Sequence, residues 1–212
     1  MASLTGKTAL VTGATSGIGF GIARHFLSIG ASVVVHGRDQ ADAARAASEL
    51  GADPAACTAV SADLRDVAAC RAMVGGGNAW EGGLDVAVNN AGMTDRGYLE
   101  DTPVELWDDI MAVNLRAPFI CLQAAVASMK TRGGGSIVNI GSVNAYIGAP
   151  KLGPYSVSKG GLMTMSRNAA SALNRYKIRV NQLNVGWTLT EGEDAVQKRQ
   201  TTRADWLRDA LA

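Results

Sequence analysis

The sequence has almost no net charge: 20 lysines and arginines stand against 19 aspartates and glutamates, a formal +1. That balance excludes the basic stripe of a nucleic-acid binder and the polybasic patch of a membrane-surface protein. Histidine is scarce, with His25 and His36 the only 2, so no histidine-rich metal site can be built and no metal is expected. Cysteine is limited to 3 residues, Cys57, Cys70 and Cys121. They are far apart, odd in number and lack a Cys-x-x-Cys pair, so they read as small buried hydrophobes in a reducing compartment. Aromatics are 5% of the chain, too few among the basic residues to make a stacking platform for bases. No apolar run reaches the roughly 18 residues of a membrane span, and no basic segment leads into an apolar run as in a signal peptide. The expected location is the cytoplasm, with neither nucleic acid nor membrane as partner.

Apolar residues make up 47% of the 212, which suits one domain with a sizeable core. Glycine is abundant, with 25 residues, and promises sharp turns and close backbone approaches. The stretch Thr12–Gly19, TGATSGIG, stands between an apolar run at Thr8–Val11 and a helical pattern at Phe20–Ile29. Strand, glycine turn, helix is the layout of a nucleotide-phosphate site. The glycines at 13, 17 and 19 depart from G-x-G-x-x-G. The physics is unchanged: missing Cβ atoms let a pyrophosphate approach, and a helix starting near Gly17 or Ile18 aims free N–H groups at it. By itself the loop also fits an ordinary strand-to-helix turn.

The rest of the chain repeats one rhythm. Strands are expected at Lys7–Val11, Ser32–His36, Cys57–Ser61, Leu84–Asn89, Ser136–Ile140 and Ile178–Leu183, as short apolar runs. Helices are expected at Gly17–Ile29, Asp39–Leu50, Asp66–Ala79, from Thr102 to about Lys130, and from Pro154 to about Tyr176. Thr102 and Glu105 have capping-box spacing, with Pro103 at the first helical position, and Pro118 predicts a break or kink near residue 117. The alternation calls for an α/β fold: a doubly wound parallel sheet, Rossmann-like, with helices on both faces. Residues 1–212 read as a single domain, with about 187–212 a partial substrate-side segment and the tail from Glu191 partly helical.

Several polar residues gather where such sheets bind ligands. Tyr155 and Lys159 are four apart in a helix and share a face. An ammonium beside a phenol lowers its pKa, and such a pair can pass a proton to or from an oxygen. Chance spacing, with tyrosine packed and lysine snorkelling, fits the pair alone. Ser142 follows the fifth strand, placed either to bond the same reacting oxygen or to cap a turn. Asn114 lies inside a helix, where it either bends the helix and holds a water or faces solvent. Asn89 and Asn90 are suited to closing turns with their amides, and Gly92 to letting the backbone pass near a ligand. Asp63 is placed to accept from an adenine amine; Asp85 reads as a solvated strand end. After the second strand no carboxylate occupies position 37, and Arg38 offers a fork for a 2′-phosphate, which predicts NADP(H) over NAD(H). Asp39 reads as the cap of the next helix.

Thr12-Gly13-x-x-x-Gly17-x-Gly19, Asn89-Asn90-Ala91-Gly92, Asn114, Ser142 and Tyr155-x-x-x-Lys159 stand together in an order and spacing that resemble the classical short-chain dehydrogenase/reductase (SDR) family, over residues about 5–190. The resemblance implies a Rossmann-like oxidoreductase moving hydride between NADP(H), or NAD(H), and a carbonyl or secondary alcohol. It implies Tyr155 as general acid/base and Lys159 as the residue that holds the nicotinamide ribose and lowers the tyrosine pKa. It also implies that Ser142 orients the substrate oxygen and that Asn114 keeps a water in the proton relay. The implied cofactor contacts are Gly13, Thr15, Ser16, Gly17, Ile18 and Gly19, with Arg38, Asp63 and Leu64. They continue through Asn90, Ala91 and Gly92 to Tyr155, Lys159, Gly186, Thr188 and Thr190. It further implies a homodimer or homotetramer paired through helices near 103–130 and 154–176. Two departures stand out: Val185 occupies a position where the family usually has proline, and the chain is shorter than the family's usual length, so a seventh strand is expected to be missing. A nucleotide-binding scaffold, or an inactive truncated relative, is therefore the alternative to an active enzyme. Residues 93–98, 143–153 and 187–200, with Tyr98, Tyr146, Ile147, Leu152 and Trp187, are expected around the substrate. A ketoacyl thioester, sugar or polyol, steroid or simple ketone all fit.

Overall fold

A computed structural model of the chain describes residues 3–51, 53–190, 194 and 198. Its strands are β1 (Thr8–Val11), β2 (Ser32–Gly37), β3 (Cys57–Ser61), β4 (Val86–Asn89), β5 (Gly135–Ser142) and β6 (Ile178–Val185). Between them run α1 (Gly17–Ser28), α2 (Gln40–Glu49), α3 (Val67–Ala79), α4 (Val104–Met111), α5 (Ala117–Thr131) and α6 (Gly153–Leu173). The 6 strands form one sheet in the order β3-β2-β1-β4-β5-β6, parallel throughout. This is the expected doubly wound fold. The chain reverses its winding between β1 and β4, and a crevice opens there above the strand C-termini.

Each inner strand divides its side chains between two cores, as a period of two requires. Val33 and Val35 join Val11 and Ala23 beneath α1 and α2. Val34 and Leu10 join Met73, Ile120 and Met129 beneath α3 and α5. Asp39 and Asp66 cap α2 and α3, each accepting two backbone N–H groups of the first turn; such a cap stabilises by about 1 kcal/mol. Cys57, Cys70 and Cys121 are buried free thiols.

Local expectations are corrected at several points. The Thr102–Glu105 capping box does not form: Pro103 is the N-cap of α4 without a side-chain bond, and Thr102 Oγ1 donates back to Tyr98 O at 2.6 Å. Pro118 breaks no helix axis outright. It sits in the first turn of α5, after a π-helical turn at Ala112–Arg116 that carries the helix through residue 117. Asp85 is not solvated. It is buried, takes Arg132 and Lys7 as ion-pair partners at 2.7 and 3.0 Å, and accepts the Thr8 N–H. Burial opposes its charge, but bonds from Arg132, Thr8 and Lys7 outweigh that and hold the carboxyl below the usual carboxylate range. The helical stretch Val104–Thr131 is long and apolar enough to cross a membrane, yet 56% of its most apolar window is buried inside the protein, as a core helix requires. Strands β5 and β6 each run two residues beyond their expected ends, because their register continues to Ser142↔Val185. The tail from residue 191, apart from 194 and 198, lies outside the described residues.

Candidate functional site

The crevice at the winding reversal is a cleft of about 740 Å³. Its floor is the β1–α1 loop. Gly13 and Gly17 take φ of +61° and +55°, a region costly for side chains with a Cβ. A Cβ on Gly13 would lie 2.9 Å from Ala91 Cα, and one on Gly19 would lie 2.5 Å from Asn90 Nδ2. Gly19 therefore packs the loop and does not line the cleft. Thr15, Ser16, Gly17 and Ile18 do line it. Ser16 is the N-cap of α1 but its side chain bonds none of the first-turn amides, which leaves them for an anion.

The loop is locked from its neighbours. Thr12 Oγ1 accepts the N–H groups of Asn90 and Ala91 at 3.0 and 3.1 Å, and Asn90 Nδ2 donates to Thr12 O and Gly13 O at 2.9 and 3.0 Å. The paired asparagines thus tie elements together instead of closing a turn of their own. Asn89 Nδ2 reaches across to Asn139 Oδ1 on β5. On the far side His36 accepts the Gly13 N–H at Nδ1. The sequence reading missed this histidine. Its one signal is a lone polar residue closing the apolar run Val33–Val35.

Arg38, Asp63, Leu64, Asn90, Ala91 and Gly92 line the cleft. Asp63 is already engaged: Arg65 grips both its oxygens, at 2.7 Å to Oδ2. That side-chain bond, the Arg65 backbone N–H and the charges of Arg65 and Arg38 hold the half-buried carboxyl down at about 2. An adenine amine would have to share it.

Lys159 is 4% exposed. Its Nζ donates to Ile140 O at 2.8 Å and lies 5.6 Å from the Tyr155 ring centre. Desolvation pushes its pKa down to about 8. Tyr155 and Lys159 both line the cleft at the winding reversal, and Tyr155 also lines a second cavity of about 510 Å³. Ser142, Gly186 and Thr188 belong to this second cavity, and Thr190 to both. Ser142 also accepts the Asn144 N–H and caps the turn Val143–Ala145, so both of its expected roles coexist. Leu152 and Trp187 line the second cavity, joined by Arg96 from the expected stretch 93–98. Tyr98 and Tyr146 stand outside it: Tyr98 faces Lys151 at 5.1 Å, and Tyr146 Oη accepts from Asn184. Ile147 is exposed and does not line it.

Asn114 is 1% exposed and lines neither cavity. It sits in the π turn, a form common at functional positions. Its Oδ1 accepts the Met93 N–H at 2.7 Å, and its Nδ2 donates to Met93 O and Ser158 Oγ. It faces neither solvent nor an open cavity; it staples the segment after β4 to α6.

The family model described as short chain dehydrogenase matches residues 7–201. A bovine (Bos taurus) protein, dehydrogenase/reductase SDR family member 4, is 39% identical over 86% of this chain and 66% of its own length. An NADP-dependent (R)-specific alcohol dehydrogenase from Lentilactobacillus kefiri is 35% identical over 93% of this chain and 82% of its own. A crystal structure from Sinorhizobium meliloti, assigned as a short-chain alcohol dehydrogenase, superposes with a TM-score of 0.84 at 36% identity, over 93% of this chain and 81% of that one. The chain belongs to the short-chain dehydrogenase/reductase family of NAD(P)-dependent oxidoreductases.

Proposed function

We propose that the chain is an NADP(H)-dependent oxidoreductase that interconverts a carbonyl and a secondary alcohol, with Tyr155 as general acid/base. The observation that carries this is the position of Tyr155 at the junction of the two cavities, with the buried Lys159 ammonium beneath it. The cleft fits a dinucleotide on its own features: glycines where a Cβ would collide, uncapped amides at the start of α1, and Arg38 beyond β2. When bound, the nicotinamide supplies or accepts the hydride.

The chain's residues do the rest. Thr15–Ile18 hold the pyrophosphate with backbone N–H groups, and Arg38 pairs with a 2′-phosphate through its planar fork. Lys159 stays charged at neutral pH, below its value of about 8, and its charge favours the Tyr155 phenolate. Tyr155 then gives a proton to the substrate oxygen in reduction and takes it in oxidation. Ser142, in the same cavity, orients that oxygen. The apolar Leu152 and Trp187 with the polar Asn144 and Arg96 suit a small or medium carbonyl. Exposed Trp107, Phe119 and Val157 on α4, α5 and α6 support a homodimer or homotetramer formed through those helices.

The test is NADPH oxidation with a ketone panel, set beside direct NADPH binding, in the native protein and in Tyr155→Phe. Turnover falling about a thousandfold with binding within about threefold is the expected result. Equal turnover in the variant sinks the assignment, and binding without turnover in the native chain makes it a nucleotide-binding scaffold.

A further inference from the structure

His36 is the fifth residue of β2, 2% exposed, at the edge of the cleft. Its ring spans a gap between two other elements. The Gly13 N–H donates to Nδ1 at 3.1 Å, and Nε2 lies 3.1 Å from Ala62 O, just past β3. A carbonyl only accepts, so Nε2 must carry the hydrogen and Nδ1 must be bare. One tautomer of the neutral ring satisfies both bonds. The imidazolium does not: it puts an N–H at Nδ1, donor against the Gly13 donor. Gly13 is also where the loop needs positive φ and where Ala91 leaves no room for a Cβ. The peptide groups on both sides of its Cα are therefore held, the preceding one at the Gly13 N–H by His36 and the following one at the Gly13 carbonyl by Asn90.

We propose that His36 is a positioning residue for the dinucleotide: the neutral ring holds the glycine loop in the shape that receives the pyrophosphate, and protonation releases the Gly13 amide. The inference rests on the cofactor reading above. Burial lowers the imidazole's pKa from its ordinary value, and the bond to Ala62 O opposes this in part. The charged side chains that line the cleft with it are Arg38 and Asp39 on its own segment, Asp42 on α2, Asp63 and Arg65 beyond β3, Asp95 beyond β4, and Lys159 on α6. The stretch Thr8–Gly19 contributes none. By linkage, a ligand that needs the neutral ring must lower the His36 pKa further, and its affinity must fall as the pH drops through the free protein's value.

The chain has 2 histidines, and exposed His25 on α1 is an internal reference. Ring-proton NMR of the full chain follows both, alone and saturated with NADP+. The His36 titration is expected to move to lower pH by about one unit on saturation, with His25 unmoved. In parallel, calorimetry measures NADP+ affinity from about pH 7.5 to about pH 5.5 in the native chain and in His36→Asn, whose amide oxygen can accept at Gly13 without titrating. The native affinity is expected to fall about threefold more than the variant's; any weakening from the ligand's own 2′-phosphate is common to both. A His36 titration indifferent to NADP+ overturns the proposal, as do matching slopes in the two proteins. If His36→Asn does not fold, the native NMR titration decides alone. No NADP+ binding at about pH 7.5 defeats the cofactor reading itself and the proposal with it.

Discussion

On the β1–β3 side of the cleft, the surface offered to a ligand combines the backbone of the glycine loop with charged side chains, Arg38, Asp42 and Asp63 among them. On the β4–β6 side it rests on buried polar ones. Among the described residues, Thr8, Thr12 and His36 are the buried polar ones of the first half, against Asn89, Asn114, Asn139, Ser142, Ser158, Lys159 and Ser166 among those of the second. The chemistry explains the split. Holding an anion needs N–H groups and the absence of Cβ atoms, which glycines provide at little desolvation cost. Moving a proton needs a charge near a phenol in a dry place, and a dry charge must be supported by satisfied neighbours. The chain Asn89–Asn139–Ser166–Gln182 and the Asn114 staple supply that support around α6.

If the split is real, substitutions on the two sides separate turnover, binding and stability. Lys159→Met should show the largest effect: turnover down at least about a hundredfold, while melting temperature rises by about 2 °C because a costly buried charge is removed. The sign follows from the lowered pKa. Between about 8 and the ordinary 10.5 the unfolded chain binds the extra proton, so native stability rises with pH across that window. The variant should lack that rise in a series of melts; a native-like rise would break the comparison. Gly13→Val comes next. Its side chain meets Ala91 and its φ is strained, so calorimetry should find NADPH binding weakened about a hundredfold, in a protein that circular dichroism shows still folded. Arg38→Ala is the smallest. NADPH should weaken about tenfold and NADH less than about twofold, and equal losses would remove Arg38 from cofactor choice.

Legibility followed the same division. The glycine loop, Tyr155 with Lys159, and the βα rhythm could be read because each depends on local spacing: a strand period, a helical face, a turn that excludes Cβ atoms. Asp85 was misread because nothing local reveals that Arg132 and Lys7 come to meet it across the end of the sheet. His36 was passed over because its partners Gly13 and Ala62 are distant in sequence and are backbone atoms, which have no signature. Thr102 has the right spacing for a capping box, yet its hydroxyl takes the nearer Tyr98 carbonyl.

The sequence by itself determined the parallel α/β sheet and its main strands, because burial on both faces forces continuous apolar runs between glycine turns. It also placed Tyr155 and Lys159 on one helical face. Only the tertiary structure decided that Lys159 is dry and bonded to Ile140, that Asn114 staples the segment at Met93 to α6, and that Tyr155 stands where two cavities meet. Desolvation and long-range hydrogen bonds are properties of what surrounds a residue, and those surroundings exist only once the sheet has closed its helices over both faces.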